Sequence, residues 1–153
     1  MRKLFLASTI IAISAVQALT VAQANASEWI TRESSASVAE TADRLVSAAE
    51  GAGATVFARV DHAAGAEAVG EELPPTTLVI FGNPRIGTPI LQADRRAGLD
   101  LPLRVLIWEE NGTTMLGYED PDALRERYAI EGADEAFEAM TGALENLTTA
   151  ATQ

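Results

Sequence analysis

The chain has 153 residues, 48% hydrophobic and 22% charged, the composition of a globular protein of one-domain length. It has no cysteine and one histidine, which excludes a disulfide framework, a thiolate metal site, a cysteine nucleophile and a multi-histidine site within one chain. Eleven basic residues stand against 22 acidic ones, and the net charge of −11 repels nucleic-acid phosphates and anionic lipid.

The first 26 residues read as a secretory signal. Arg2-Lys3 is a positive start, Leu4 to Val16 is apolar apart from Ser and Thr, and Ala24-Asn25-Ala26 is a small-x-small cleavage site. The apolar stretch is shorter than the ~20 residues a membrane span needs. The expected product is one domain over residues 27–153, periplasmic or secreted, with no membrane anchor after cleavage. Lys3 is the only lysine, so the exported form cannot use a Schiff-base lysine.

Trp29 to Glu33 fits a first strand. Ser37-Val38-Ala39-Glu40 has capping-box spacing, and the helix it opens carries Val38, Ala42, Leu45, Val46 and Ala49 on one face before Gly51-Ala52-Gly53 stops it. Thr55 to Asp61 reads as a strand, followed by a short Ala-rich helix around Gly65 to Val69 that Pro74-Pro75 ends. Thr77 to Phe81 is a continuous apolar run, which predicts a central strand buried on both faces. Thr88 as N-cap and Pro89 at the first helical position predict a helix from Pro89 to Ala97.

Leu103 to Glu110 is the next strand. Asn111-Gly112 is a hairpin signal, and Thr113 to Tyr118 is the returning partner. Asp120-Pro121 starts a helix through Tyr128, and a last helix runs from Asp134 to Leu147. The order β-α-β-α-β-α-β-β-α-α predicts an α+β domain, with about five strands in a mixed or antiparallel sheet and helices packed on it. No Gly-x-Gly-x-x-Gly follows the Thr55 strand, so a doubly wound nucleotide-binding fold is not expected.

An ordered set of short motifs runs through the middle of the chain. It comprises Asp61-His62-Ala63-Ala64-Gly65-Ala66, Phe81-Gly82-Asn83-Pro84, Gly87-Thr88-Pro89, Leu101-Pro102-Leu103, Trp108-Glu109, Tyr118, and Asp120-Pro121 with Arg127. Together these resemble the bacterial family called domain of unknown function 302, over roughly Leu45 to Ile130. The resemblance implies a compact α+β fold and often an export signal, and it implies no reaction.

The candidate site residues follow from their chemistry. Asn83, Arg85, Gly87 and Thr88 sit where a strand turns into a helix start, and free N–H groups there can receive an anion that Arg85 would clamp. The alternative is turn chemistry, with the glycines serving the backbone and Asn83 and Thr88 bonding locally. His62 can act as an acid or base, or it is a turn residue behind the helix cap Asp61. As a metal ligand it would need carboxylates such as Glu109, and no metal or other cofactor is expected.

Tyr118 is a further pocket candidate. Arg127 can pair with a carboxylate or bind an anion, and a paired-carboxylate site would draw on Glu109 or Glu110 with Glu119 or Asp120. No serine sits in a nucleophile elbow. Three readings result: a small-ligand-binding or sensing domain, an interaction or assembly domain that homodimerises, and an acid–base enzyme using His62. The partner is an unknown small molecule or protein, and nucleic acid is not expected.

Overall fold

Ser37 sets the first helix. Its hydroxyl accepts from the Glu40 N–H while the Glu40 carboxylate accepts from the Ser37 N–H, so two otherwise unpaired donors are satisfied reciprocally. The helix that follows, α1 (Val38–Gly51), buries Val38, Thr41, Ala42, Leu45 and Ala49 on one side. A computed structural model describes residues 29–153, and the export segment expected over residues 1–26 lies outside the described residues.

Five strands form one sheet: β1 (Trp29–Ser34), β2 (Thr55–Asp61), β3 (Thr76–Gly82), β4 (Leu103–Glu110) and β5 (Thr113–Glu119). Their spatial order is β1-β5-β4-β3-β2, and every neighbouring pair is antiparallel. Glu110 pairs with Thr113 across Asn111 and Gly112, and both of those residues have positive φ, as the right-handed strand twist demands of a two-residue loop.

Helices α1 and α5 (Asp134–Thr152) lie against one face of the sheet, while α3 (Pro84–Ala93) and α4 (Pro121–Arg127) pack on α5. The core between them is Val79, Phe81, Val105, Ile107, Leu116 and Tyr118 from the sheet with Leu45, Phe137, Met140 and Leu144 from the helices. Each such buried apolar side chain contributes about 1.5–3 kcal/mol relative to exposure.

Several expectations are corrected. The strand Thr76–Gly82 is second from the sheet's edge, not central, and it is not buried on both faces. Val79 and Phe81 are buried under the helices, whereas Leu78 and Ile80 on the other face are only half-buried. The run is continuously apolar because both faces of the sheet are apolar there, although only one carries α1 and α5.

Helix α3 starts at Pro84 rather than Pro89. The Asn83 carboxamide accepts from the Arg85 N–H at 2.9 Å, and Pro84 takes the first helical position, the same device as Asp120-Pro121. Pro89 sits in the second turn, where it forgoes one i→i−4 bond. Arg95–Leu99 is a separate 3-10 turn. The Ala-rich helix α2 (His62–Glu67) begins three residues early, capped by Asp61, and α5 continues to Thr152.

Candidate functional site

Antiparallel pairing brings the end of β3, the start of β4 and the end of β5 to one end of the sheet. Two clefts open there, separated by the Leu101-Pro102 segment, whose peptide bond is cis. Leu101 and Leu103 line both.

The first is an apolar groove of about 260 Å³ that includes Phe57, Gly82, Asn83, Gly87, Thr88, Leu91 and Pro102. Three of the expected anion-site residues therefore share one groove. Their N–H groups are not free to receive an anion. Arg85 N–H donates to the Asn83 side chain, Ile86 and Gly87 N–H donate to the Asn83 carbonyl, and Pro84 has none. Asn83 Nδ2 donates to the Gly53 carbonyl.

Thr88 is exposed inside α3 and does not cap it. Arg85 is exposed, and its guanidinium has no hydrogen bond or ion pair among the described residues. It lines a different depression, beside Asp134 and Glu135. The turn reads as local folding chemistry, with the groove beside it apolar.

The second cleft, about 460 Å³, brings together Tyr118, Arg127 and His62. It runs from the helix side of the sheet, at Tyr118, Leu124 and Met140, past its end and onto the opposite face, at Trp29, Leu78 and Leu106. At the sheet's end lies a side-chain network that sequence reasoning only partly found. Asp100, 16% exposed, accepts from Arg104 at 2.6 Å, from Arg127 at 2.7 Å and from the Tyr128 hydroxyl at 2.9 Å. Arg127 also donates to both carboxylate oxygens of Glu119.

Burial alone would raise the Asp100 pKa, but the bonds from Arg127, Tyr128 and Arg104 outweigh it and hold the carboxyl below its usual value. The bond to Asp100 in turn raises the Tyr128 phenol, and the two carboxylates push the Arg127 guanidinium up. Asp100, Arg104 and Tyr128 were missed because Tyr128 reaches Asp100 from 28 residues away, and nothing local marks the Asp100–Arg104 pair, four residues apart, as part of a network. The only available signal was that Asp100 directly precedes Leu101-Pro102-Leu103.

Tyr118 is 2% exposed, and its hydroxyl is buried with no hydrogen-bond partner among the described residues. His62 is the exposed first residue of α2. Asp61 does not orient it, because that carboxylate accepts from the Ala64 N–H at 2.9 Å. His62 and Arg127 line the same cleft without a hydrogen bond between them. Among the described residues, no three of His, Asp or Glu cluster as a metal shell.

The face of the sheet turned away from α1 and α5 is itself apolar. Strand alternation places Leu78, Ile80, Leu106, Trp108 and Met115 there, with Trp29 53%, Phe57 58% and Val60 37% exposed around them. The Trp29 and Trp108 rings lie over Gly117, where an added Cβ would meet both at 3.0–3.1 Å. Glycine at 117 is what lets two indoles lie flat on this face.

A five-stranded antiparallel sheet, helix-covered on one side and open on the other, defines the class as a small α+β domain. The chain belongs to the family described as domain of unknown function DUF302, whose model matches residues 30–147, a wider span than the motifs themselves. A crystal structure of an uncharacterized conserved DUF302 protein from Bacillus stearothermophilus has the same fold. It gives a TM-score of 0.73 at 21% identity, covering 80% of this chain and 97% of that one.

The chain is also 48% identical over 113 residues to a protein of Brucella suis biovar 1 (strain 1330) named fluoride-specific ion channel FluC 1, covering 72% of this chain and 44% of that protein. The corresponding FluC 1 of Brucella abortus biovar 1 (strain 9-941) gives the same identity, with 42% of its length covered. The chain thus spans less than half the length of these curated relatives.

Proposed function

We propose that this domain is an exported interaction module that docks on an ion-channel protein of the membrane through the open face of its sheet. The observation that carries this reading is the exposed apolar surface around Trp29, Phe57 and Val60, continuous with Trp108 and Leu106. Contiguous apolar surface of this kind marks interaction sites, and tryptophans are the commonest anchors within them.

The Brucella relatives supply the kind of partner. Their matching segment is part of a longer chain named as a fluoride-specific channel. A covalent link supplies an effective concentration of the order of millimolar, so a linked domain needs little affinity of its own. The acid excess of the chain disfavours the anionic bilayer surface as the alternative partner. The anion-binding form of the ligand reading loses support, since the N–H groups of the Asn83 turn are already bonded.

Photo-crosslinking in the native host tests this. A photoreactive residue at Phe57 is expected to give an adduct with an integral membrane protein of channel type. The same residue at Glu138, exposed on α5, is expected to give none. Adducts only with a second copy of the chain would replace the channel with a homodimer, and equal labelling from both positions would remove the open face as the docking surface.

A further inference from the structure

The inner part of the second cleft carries chemistry that docking through the open face does not use. Tyr118 projects to the helix side of the sheet, where its cross-strand partner Val105 is fully buried. Its neighbours along the cleft are apolar: Leu101, Leu103, Leu124, Met140 and Leu144. A buried hydroxyl without a partner is disfavoured by the full desolvation of that group, so such groups are uncommon in folded proteins. Here the unpaired atom belongs to a residue lining the inner end of a cleft whose whole volume, open-face part included, is about 460 Å³.

The charged groups at the mouth fix the class of ligand. Both Asp100 oxygens are engaged, by Arg104 on one side and by Arg127 and Tyr128 on the other. Arg127 is further engaged by Glu119. Two guanidinium and two carboxylate charges pair off, and the third carboxylate of the lining, Asp120, accepts from the Asp122 N–H as the cap of α4, so an ionic ligand would have to break one of these pairs or compete with a cap to be held. What remains unpaired is a neutral phenol hydroxyl, buried just behind the apolar wall.

We propose that this part of the cleft binds a small uncharged molecule, an apolar body carrying one carbonyl or hydroxyl group, with the Tyr118 hydroxyl as its hydrogen-bond partner. The Asp100–Arg127–Glu119 network stands at the entrance and holds the end of α4 against the sheet. The hydroxyl end of this site is distinct from the docking surface, because Tyr118 and Leu124 lie on the covered side of the sheet, while the cleft's other end opens onto that surface at Trp29, Leu78 and Leu106.

The test titrates cyclohexanone and cyclohexanol into isotope-labelled protein by NMR, with benzoate and cyclohexylammonium as charged counterparts. Saturable shifts at the Tyr118 and Leu124 amides are expected with the two neutral probes. Tyr118→Phe keeps the ring and removes only the hydroxyl, and it should weaken their binding about three- to tenfold.

Four outcomes would overturn the proposal. The first is no saturation up to about 10 mM of either neutral probe. The second is tighter binding of benzoate or cyclohexylammonium than of cyclohexanone. The third is a response confined to the Asn83–Leu91 groove. The fourth is unchanged probe affinity in Tyr118→Phe, which with a loss of stability would mean that the hydroxyl serves the fold through a bound water.

Discussion

The two clefts at the same end of the sheet are built in opposite ways. Beside the first, the Asn83–Thr88 turn uses its backbone: one carboxamide and one carbonyl of Asn83 take three successive N–H groups, while the side chains of Arg85 and Thr88 face outward. At the second, side chains from three stretches of the chain, at Asp100 and Arg104, at Glu119, and at Arg127 and Tyr128, meet in one network, and one buried hydroxyl is left over. A turn that satisfies itself is a folding device, and its residues can be exchanged for others with the same local geometry. A network assembled from distant segments holds those segments at one spacing, so its loss should be felt beyond a single residue.

The largest expected effect therefore lies at Asp100. Asp100→Ala removes three hydrogen bonds with charged or phenolic donors, and it should cost about 2 kcal/mol in urea unfolding, because such bonds contribute roughly 1.5–3 kcal/mol each when well buried and less where the arginines reach solvent. A cost under 0.5 kcal/mol would make the network a surface feature and remove the contrast with the turn.

Acid should expose the same difference. The Asp100 carboxyl titrates below its ordinary value of about 3.9 in the folded chain. As pH falls from that value, the unfolded chain takes up a proton that the folded chain refuses. The stability contributed by Asp100 is therefore complete above the ordinary value and is lost as pH falls toward the folded one. Urea midpoints of the natural chain and of Asp100→Asn should converge as pH falls below the ordinary carboxylate value of about 3.9. Parallel curves would place the acid sensitivity elsewhere, at Asp94 or Glu40, whose carboxyls are also lowered by hydrogen bonds, from Arg96 and Ser37 respectively.

At the turn, the expected effects are smaller and of mixed sign. Asn83→Ala removes the cap of α3 and should cost about 1 kcal/mol. Thr88→Ala should be neutral or stabilising by up to about 0.5 kcal/mol, since Thr88 is an exposed helix-interior position where alanine is the better helix former. The reverse order, with Thr88 the costlier site, would mean that the helix starts at Pro89 as the Thr88-Pro89 pair alone suggests.

These contrasts explain what was legible in the sequence. Local signals read correctly: the Ser37–Glu40 box, the Asp120-Pro121 start and the five strand segments all depend on residues a few positions apart. The start of α3 did not, because Asn83-Pro84 and Thr88-Pro89 are two cap-then-proline pairs five residues apart, and only the fold selects between them. The open face was hidden inside an apolar run, which looks the same whether a helix or water lies beyond it. Of the candidate residues, Tyr118, Arg127 and His62 share one cleft, and Asn83, Gly87 and Thr88 another. Asp100 joins Arg104, Arg127 and Tyr128 across 28 positions of sequence, and no periodicity reports such a meeting.

Arg85 gives the smallest expected effect and the sharpest separation of turn from site. It stands next to the cap of α3 and is the one strong cation of the turn, so a clamp on an anion would have to use it. In the fold it extends from the exposed side of the helix toward a depression whose acidic residues, Asp134 and Glu135, would repel that anion. The adjacent N–H groups are held by Asn83 whether or not the arginine is present. Arg85→Ala should therefore change stability by less than about 0.5 kcal/mol. It should also leave the NMR response to added phosphate unchanged, with no residue of the Asn83–Thr88 segment saturating in either protein. Saturable shifts at Ile86 and Gly87 that vanish in Arg85→Ala would show that the turn opens its donors to an anion, and the two clefts would then no longer divide into one folding device and one binding site.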